Sequence, residues 1–75
     1  MSPNRLKELR HRAGMTQQSL ATAAGLSISA VREYEQGLKE PVLSNAQRLA
    51  VALGVTVNDL LAESEEAAPK RRKRK

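Results

Sequence analysis

Ile28, Ser29, Arg32, Glu33 and Gln36 fall on one arc of a helical wheel turned at ~100° per residue, and Ala30, Val31 and Tyr34 fall on the other. The polar arc holds side chains able to read base edges in a DNA groove. Arginine suits guanine, serine suits several edges, a glutamate accepts from the cytosine amino group, and isoleucine meets the thymine methyl. Ile28 fits this set least well, because an isoleucine at the start of a polar face is either incidental surface or an apolar contact to a partner. No rival chemistry is visible. His11 stands alone among basic residues, there is no cysteine, and no nucleophile with a base, no metal-ligand cluster and no glycine-rich phosphate loop accompanies it. Catalytic residues, metal and cofactors are therefore not expected.

The helices around this arc follow from periodicity and punctuation. No segment alternates apolar and polar residues over a strand's length, so the chain reads as all-α, with five short helices. In the first, Ser2 and Pro3 serve as cap and opening residue, Leu6, Leu9 and Ala13 form an inward stripe, and Gly14 ends the helix. Thr16 caps a second helix, Gln17 to Ala24, which carries Leu20, Ala21 and Ala24 inward and stops at Gly25. Ser27 caps a third, Ile28 to Gln36, ended by Gly37, and Leu38 to Leu43, with Pro41 inside it, reads as a loop. Ser44 and Gln47 have the spacing of a capping box for the fourth helix, which carries Leu49, Ala50 and Leu53. Thr56 and Asp59 open the fifth, where Leu60 and Leu61 are expected to close the core.

Residues 17–36 are the informative unit: two helices of about two turns joined by Gly25-Leu26-Ser27, too tight a link for side-by-side packing. That is the outline of a helix-turn-helix. Ala21 and Gly25 let the backbones approach while Leu20, Val31 and Tyr34 fill the angle. By spacing alone, a generic small helical bundle remains the alternative.

Charge has to be located before it is used. The chain carries 13 basic and 8 acidic residues, a net of +5, but six of the basic ones are Lys70, Arg71, Arg72, Lys73, Arg74 and Lys75. Residues 1–69 have a net charge of −1, so a broadly basic domain is not indicated. With 75 residues, one domain (1–62) is expected, followed by an acidic linker and a disordered basic tail (63–75). The tail reads as a solvated run, a localisation-type signal or an arm that tracks phosphates. Apolar runs fall far short of the ~20 residues of a membrane span, and Met1 to Met15 lacks the apolar region of a secretory leader. A cytoplasmic, nucleoid-associated protein is the expectation.

Arg5-Leu-Lys-Glu-Leu-Arg10, Gly14-Met-Thr-Gln17, Leu20-Ala21, Ala24-Gly25, Val31, Tyr34-Glu35-Gln-Gly37, Pro41, Leu49-Ala50 and Ala52-Leu-Gly-Val55 occur here in one order and spacing. Over about Arg5 to Leu61 the chain resembles the Cro and repressor helix-turn-helix family of lambdoid phages and bacteria, also called the xenobiotic-response-element type. The resemblance implies a compact five-helix lambda-repressor-like domain and sequence-specific binding of double-stranded DNA, most often in transcriptional repression. It places Ser27, Ile28, Ser29, Arg32 and Glu33 at positions that face the groove. It places Gln17, with Gln18 beside it, at a helix N-terminus that grips a phosphate. Lys39 matches a loop touching the sugar-phosphate backbone, and Arg10 is expected both among the phosphate-contacting residues with Gln17, Gln18 and Lys39 and as the arginine that in similar proteins pairs with a glutamate at the place of Glu35.

Ser19 departs from the pattern, standing where many relatives have Glu or Asp, so the second helix is expected to be less well capped by roughly 0.5 kcal/mol. Glu33 brings negative charge towards DNA and is expected to weaken binding unless it meets a cytosine or is held by Arg32. Larger members add a dimerisation domain. A homodimer of this chain, as a palindromic operator requires, is expected to form through the helical domain, with apolar residues of the last helix. The rival reading is a protein-interaction module of the same fold, such as an antitoxin or a transcriptional bridging factor.

Overall fold

The computed structural model describes residues 3–62. Five helices are present among them: α1 (Pro3–Arg12), α2 (Gln17–Ala24), α3 (Ile28–Gln36), α4 (Leu43–Leu53) and α5 (Val57–Leu61). The acidic linker and basic tail (63–75) and the Ser2 cap lie outside the described residues. None of the described helices is long and apolar enough to cross a membrane.

One core holds the helices together. Leu6, Leu20, Leu49, Leu60 and Val31 are its largest fully buried side chains, joined by Leu9, Ala21, Ala24, Tyr34, Ala46, Ala50 and Leu53. α2 packs on α3 and α4, α1 packs on α3 and α5, and α4 packs on α5. Every helix is too short to persist alone in water, so this shared apolar surface is what keeps each one formed.

Four left-handed glycines end α1 to α4, and Gly25 shows why. At φ +71° it turns the chain out of α2, its N–H reaches the Ala21 and Thr22 carbonyls, and Leu26 N–H bonds to Ala21 O at 2.8 Å. A Cβ at Gly25 would meet only Arg48 Nη1 at 3.4 Å, an ordinary contact. The cost of Gly25→Ala is therefore backbone strain, roughly 1 to 2 kcal/mol for an L-residue in this region. Part of it, about 0.4 to 1 kcal/mol, is offset by the stiffer unfolded chain. Thermal denaturation should show a net loss of about 1 kcal/mol; a stabilised variant would contradict the geometry of the turn.

The structure corrects four details of the sequence reading. α1 ends at Arg12, and the turn over Ala13 and Gly14 leaves Ala13 exposed instead of on the inward stripe. Buried Arg5 and Arg10 flank that stripe, one on each side of Leu6 and Leu9. Leu43 is the first residue of α4 rather than the end of the loop; Val42 is the N-cap and no side chain caps the helix, so Ser44 and Gln47 do not form a box. Burial of Ala46 and a 3.1 Å bond from Asn45 Nδ2 to Tyr34 Oη anchor that first turn instead. Ser19 closes the box at α2 after all: Thr16 N–H donates to Ser19 Oγ at 2.9 Å and Ser19 N–H to Thr16 Oγ1 at 3.0 Å. A serine hydroxyl lies close enough to its own helix turn to do the work of a longer carboxylate. Finally, Leu60 is fully buried but Leu61 is 49% exposed, because successive residues of α5 stand ~100° apart and one direction alone faces the core.

Candidate nucleic-acid interface

α3 begins at Ser27, whose side chain accepts from Ala30 N–H at 3.1 Å, and ends at Gly37 (φ 78°). Its inner side is fastened by buried Val31 and Tyr34. Ser29, Arg32 and Gln36 are exposed, and Glu33 is partly so. Ile28, assigned by the wheel to this outward arc, is half-buried and packs against the core. As first residue of the helix its Cα–Cβ bond tilts back over the preceding turn, a direction a flat wheel does not represent.

Behind the arc lies a charged knot. Arg10 Nε donates to Glu35 Oε2 at 2.7 Å, Nη2 to Glu35 Oε1 at 3.2 Å and Nη1 to the Met15 carbonyl at 2.9 Å. The Arg10 and Glu35 side chains are only 10% and 4% exposed. Gln17 joins them, with Nε2 donating to Glu35 Oε1 at 3.0 Å. Three helices are thus tied at one carboxylate: α1 through Arg10, α2 through Gln17 and α3 through Glu35. The Gln17 link had no signal in spacing, since 18 residues separate it from Glu35.

Gln17 is half-buried at the start of α2, where the first backbone N–H groups of the helix lack intrahelical acceptors and create a locally positive end. Gln18 is exposed and its Nε2 reaches Thr22 Oγ1 at 3.2 Å. Lys39 is exposed and lies beside Glu33, with Nζ 3.4 Å from Oε1. The ion pair that holds Glu33 is this one with Lys39 and not one with Arg32. The structure therefore gathers Arg10, Gln17 and Glu35 into one cluster and Glu33 with Lys39 into another. Lys70 to Lys75 lie outside the described residues.

Arg5 is a further polar anchor, one that the sequence motifs do not single out. Arg5 is 8% exposed; its Nε donates to the Asp59 carbonyl of α5 at 2.7 Å and its Nη1 is 3.6 Å from Glu8 Oε1. The wheel of α1 carried a signal for it, because Arg5 and Arg10 fall at the two edges of the Leu6 and Leu9 stripe.

Among known proteins, a helix-turn-helix family model matches residues 6–60. The chain is 40% identical over 57 residues to the HTH-type transcriptional regulator DdrOP3 of Deinococcus deserti, covering 76% of this chain and 44% of that protein. This chain thus spans less than half of that curated relative's length. The crystal structure of the restriction-modification controller protein C.AhdI from Aeromonas hydrophila superposes with a TM-score of 0.76 at 37% identity, covering 79% of this chain and 89% of that one. The N-terminal DNA-binding domain of SinR from Bacillus subtilis gives 0.77 at 28% identity, covering 84% and 93%. With the tight Gly25 turn, the fastened third helix and a family match over most of its length, this chain belongs to the helix-turn-helix family of Cro and repressor type.

Proposed function

We propose that the chain binds double-stranded DNA sequence-specifically by seating α3 in the major groove, and that it regulates transcription, as a repressor rather than an activator. The observation that carries this reading is the division of α3 into a buried side and an exposed polar side of base-reading types. Ser29, Arg32 and Glu33 are its principal readers. Ser27, engaged as a cap through one lone pair, keeps a hydroxyl proton to donate, and half-buried Ile28 offers an apolar edge to a thymine methyl. Gln17 and Gln18 at the start of α2, with Lys39 in the loop after α3, meet phosphates and set the register. Arg10, held by Glu35 and Met15, acts by positioning Gln17 and Glu35. Lys70 to Lys75 serve as a phosphate-tracking arm.

Relatives support this reading: DdrOP3 is a transcriptional regulator, and the matched SinR domain is DNA-binding. A palindromic operator bound by a homodimer, in the cytoplasmic nucleoid, completes the reading. Val51 on α4 and Leu61 on α5, 80% and 49% exposed, are apolar side chains available to a second copy.

Selection of bound duplexes from a random pool tests the assignment. Arg32→Ala and Ser29→Ala should change which sites are selected, each at the cost of about 1 to 3 kcal/mol if the lost contact is a good bidentate one. Selected sites identical to the parent's in sequence and affinity would remove α3 from the groove. If no duplex is selected and a protein partner is captured, the antitoxin or bridging-factor reading takes its place.

A further inference from the structure

A carboxylate on a DNA-facing arc is a liability, because phosphates repel it and it can only accept hydrogen bonds. The end of α3 places a countercharge beside it. Gly37 reverses the chain in the left-handed conformation, Leu38 N–H returns to the Glu33 carbonyl at 2.9 Å, and the next residue is Lys39. Its ammonium comes to rest 3.4 Å from Glu33 Oε1, with side chains 65% and 37% exposed. An ion pair so open to solvent is weak and separates readily.

We propose that Glu33 and Lys39 form an exchange pair that couples the reading of one cytosine to one phosphate contact. The inference rests on the groove reading above. On duplexes without cytosine at the position facing Glu33, the pair stays closed, and Lys39 neutralises the carboxylate without touching DNA. On a cytosine, the N4 amino group donates to Glu33, and the released ammonium moves to a phosphate. Cytosine is the partner of choice because adenine sets its N7 acceptor beside its amino group, where it repels a carboxylate. Specific sites then gain an electrostatic contact that other sites lack, and Glu33 is shielded during non-specific encounters.

Salt dependence reads the exchange. Sites are selected for the parent and for Glu33→Gln; the position at which the variant loses a cytosine preference, of tenfold or more in the parent, marks the base facing Glu33. Affinity is then measured against salt on two duplexes that differ only at that base pair. Each phosphate contact contributes about 0.9 to the slope of log K against log salt, so the parent should show a slope steeper by about 0.9 per bound chain on the cytosine duplex. In Lys39→Ala the difference should vanish while cytosine remains preferred. Both substitutions are at exposed or partly exposed positions, and circular dichroism checks that the helices persist. Equal slopes for the parent on the two duplexes overturn the exchange and leave groove reading intact, as does a site preference that Glu33→Gln does not alter. Absence of any sequence preference in the parent overturns both.

Discussion

Glu35→Ala should destabilise the domain by about 3 kcal/mol, the lower end of what breaking one side of a buried ion pair costs. The substitution removes the acceptor of three donor groups at once, Arg10 Nε, Arg10 Nη2 and Gln17 Nε2. Arg10 would keep the Met15 carbonyl, but its side chain, 10% exposed, could not hydrate without moving. A domain of this size has roughly 3 to 9 kcal/mol of stability in total, so the variant should be partly unfolded at 37 °C. Removing both charges with Arg10→Met and Glu35→Met should cost less than removing Glu35 alone, because no stranded charge remains. Urea denaturation of the parent, both single Met variants and the double variant gives the coupling directly; a coupling energy near zero would reject the knot as a structural tie.

Leu60→Ala and Leu61→Ala should separate sharply although the residues are neighbours. Leu60 is fully buried, and its truncation should cost about 3 kcal/mol through lost burial and the cavity left behind. α5 has only five residues and is held by this side chain, by the Thr56 and Asp59 capping box, and by Arg5 donating to the Asp59 carbonyl. Losing the one buried anchor should loosen the whole element. Leu61 is 49% exposed, so Leu61→Ala should stay within about 0.5 kcal/mol of the parent. For a domain of this length each kcal/mol moves Tm by roughly 4 to 8 °C, so melting curves should place Leu60→Ala more than ~10 °C below the parent. A comparable fall for Leu61→Ala would mean that it too is covered, by a second copy of the chain or another partner. Repeating the melts over a range of protein concentrations distinguishes a dimer from a change within the monomer.

Much of this architecture was legible in residues 1–62 because its determinants are local. Glycine after each of the first four helices, capping residues before the second, third and fifth, and leucine or alanine at helical spacing depend on neighbours within a turn or two, which a sequence displays directly. The polar arc of the third helix was legible for the same reason, since it follows from the helical period once the ends are placed. The remaining features depend on residues distant in sequence or on directions that periodicity does not carry. The start of α4 is set by Tyr34 and Asn45 meeting across a turn, not by Ser44. Ile28 points back towards the core, and Leu61 points away from it, because a wheel records angle around the axis but not tilt along it or the place of the neighbouring helix. The joining of Gln17 to Glu35, of Arg5 to the Asp59 carbonyl and of Lys39 to Glu33 depends on how helices or a turn bring side chains within 3.4 Å. Hydrogen bonds and ion pairs form over a few ångströms, and only the folded packing of the five helices sets distances on that scale.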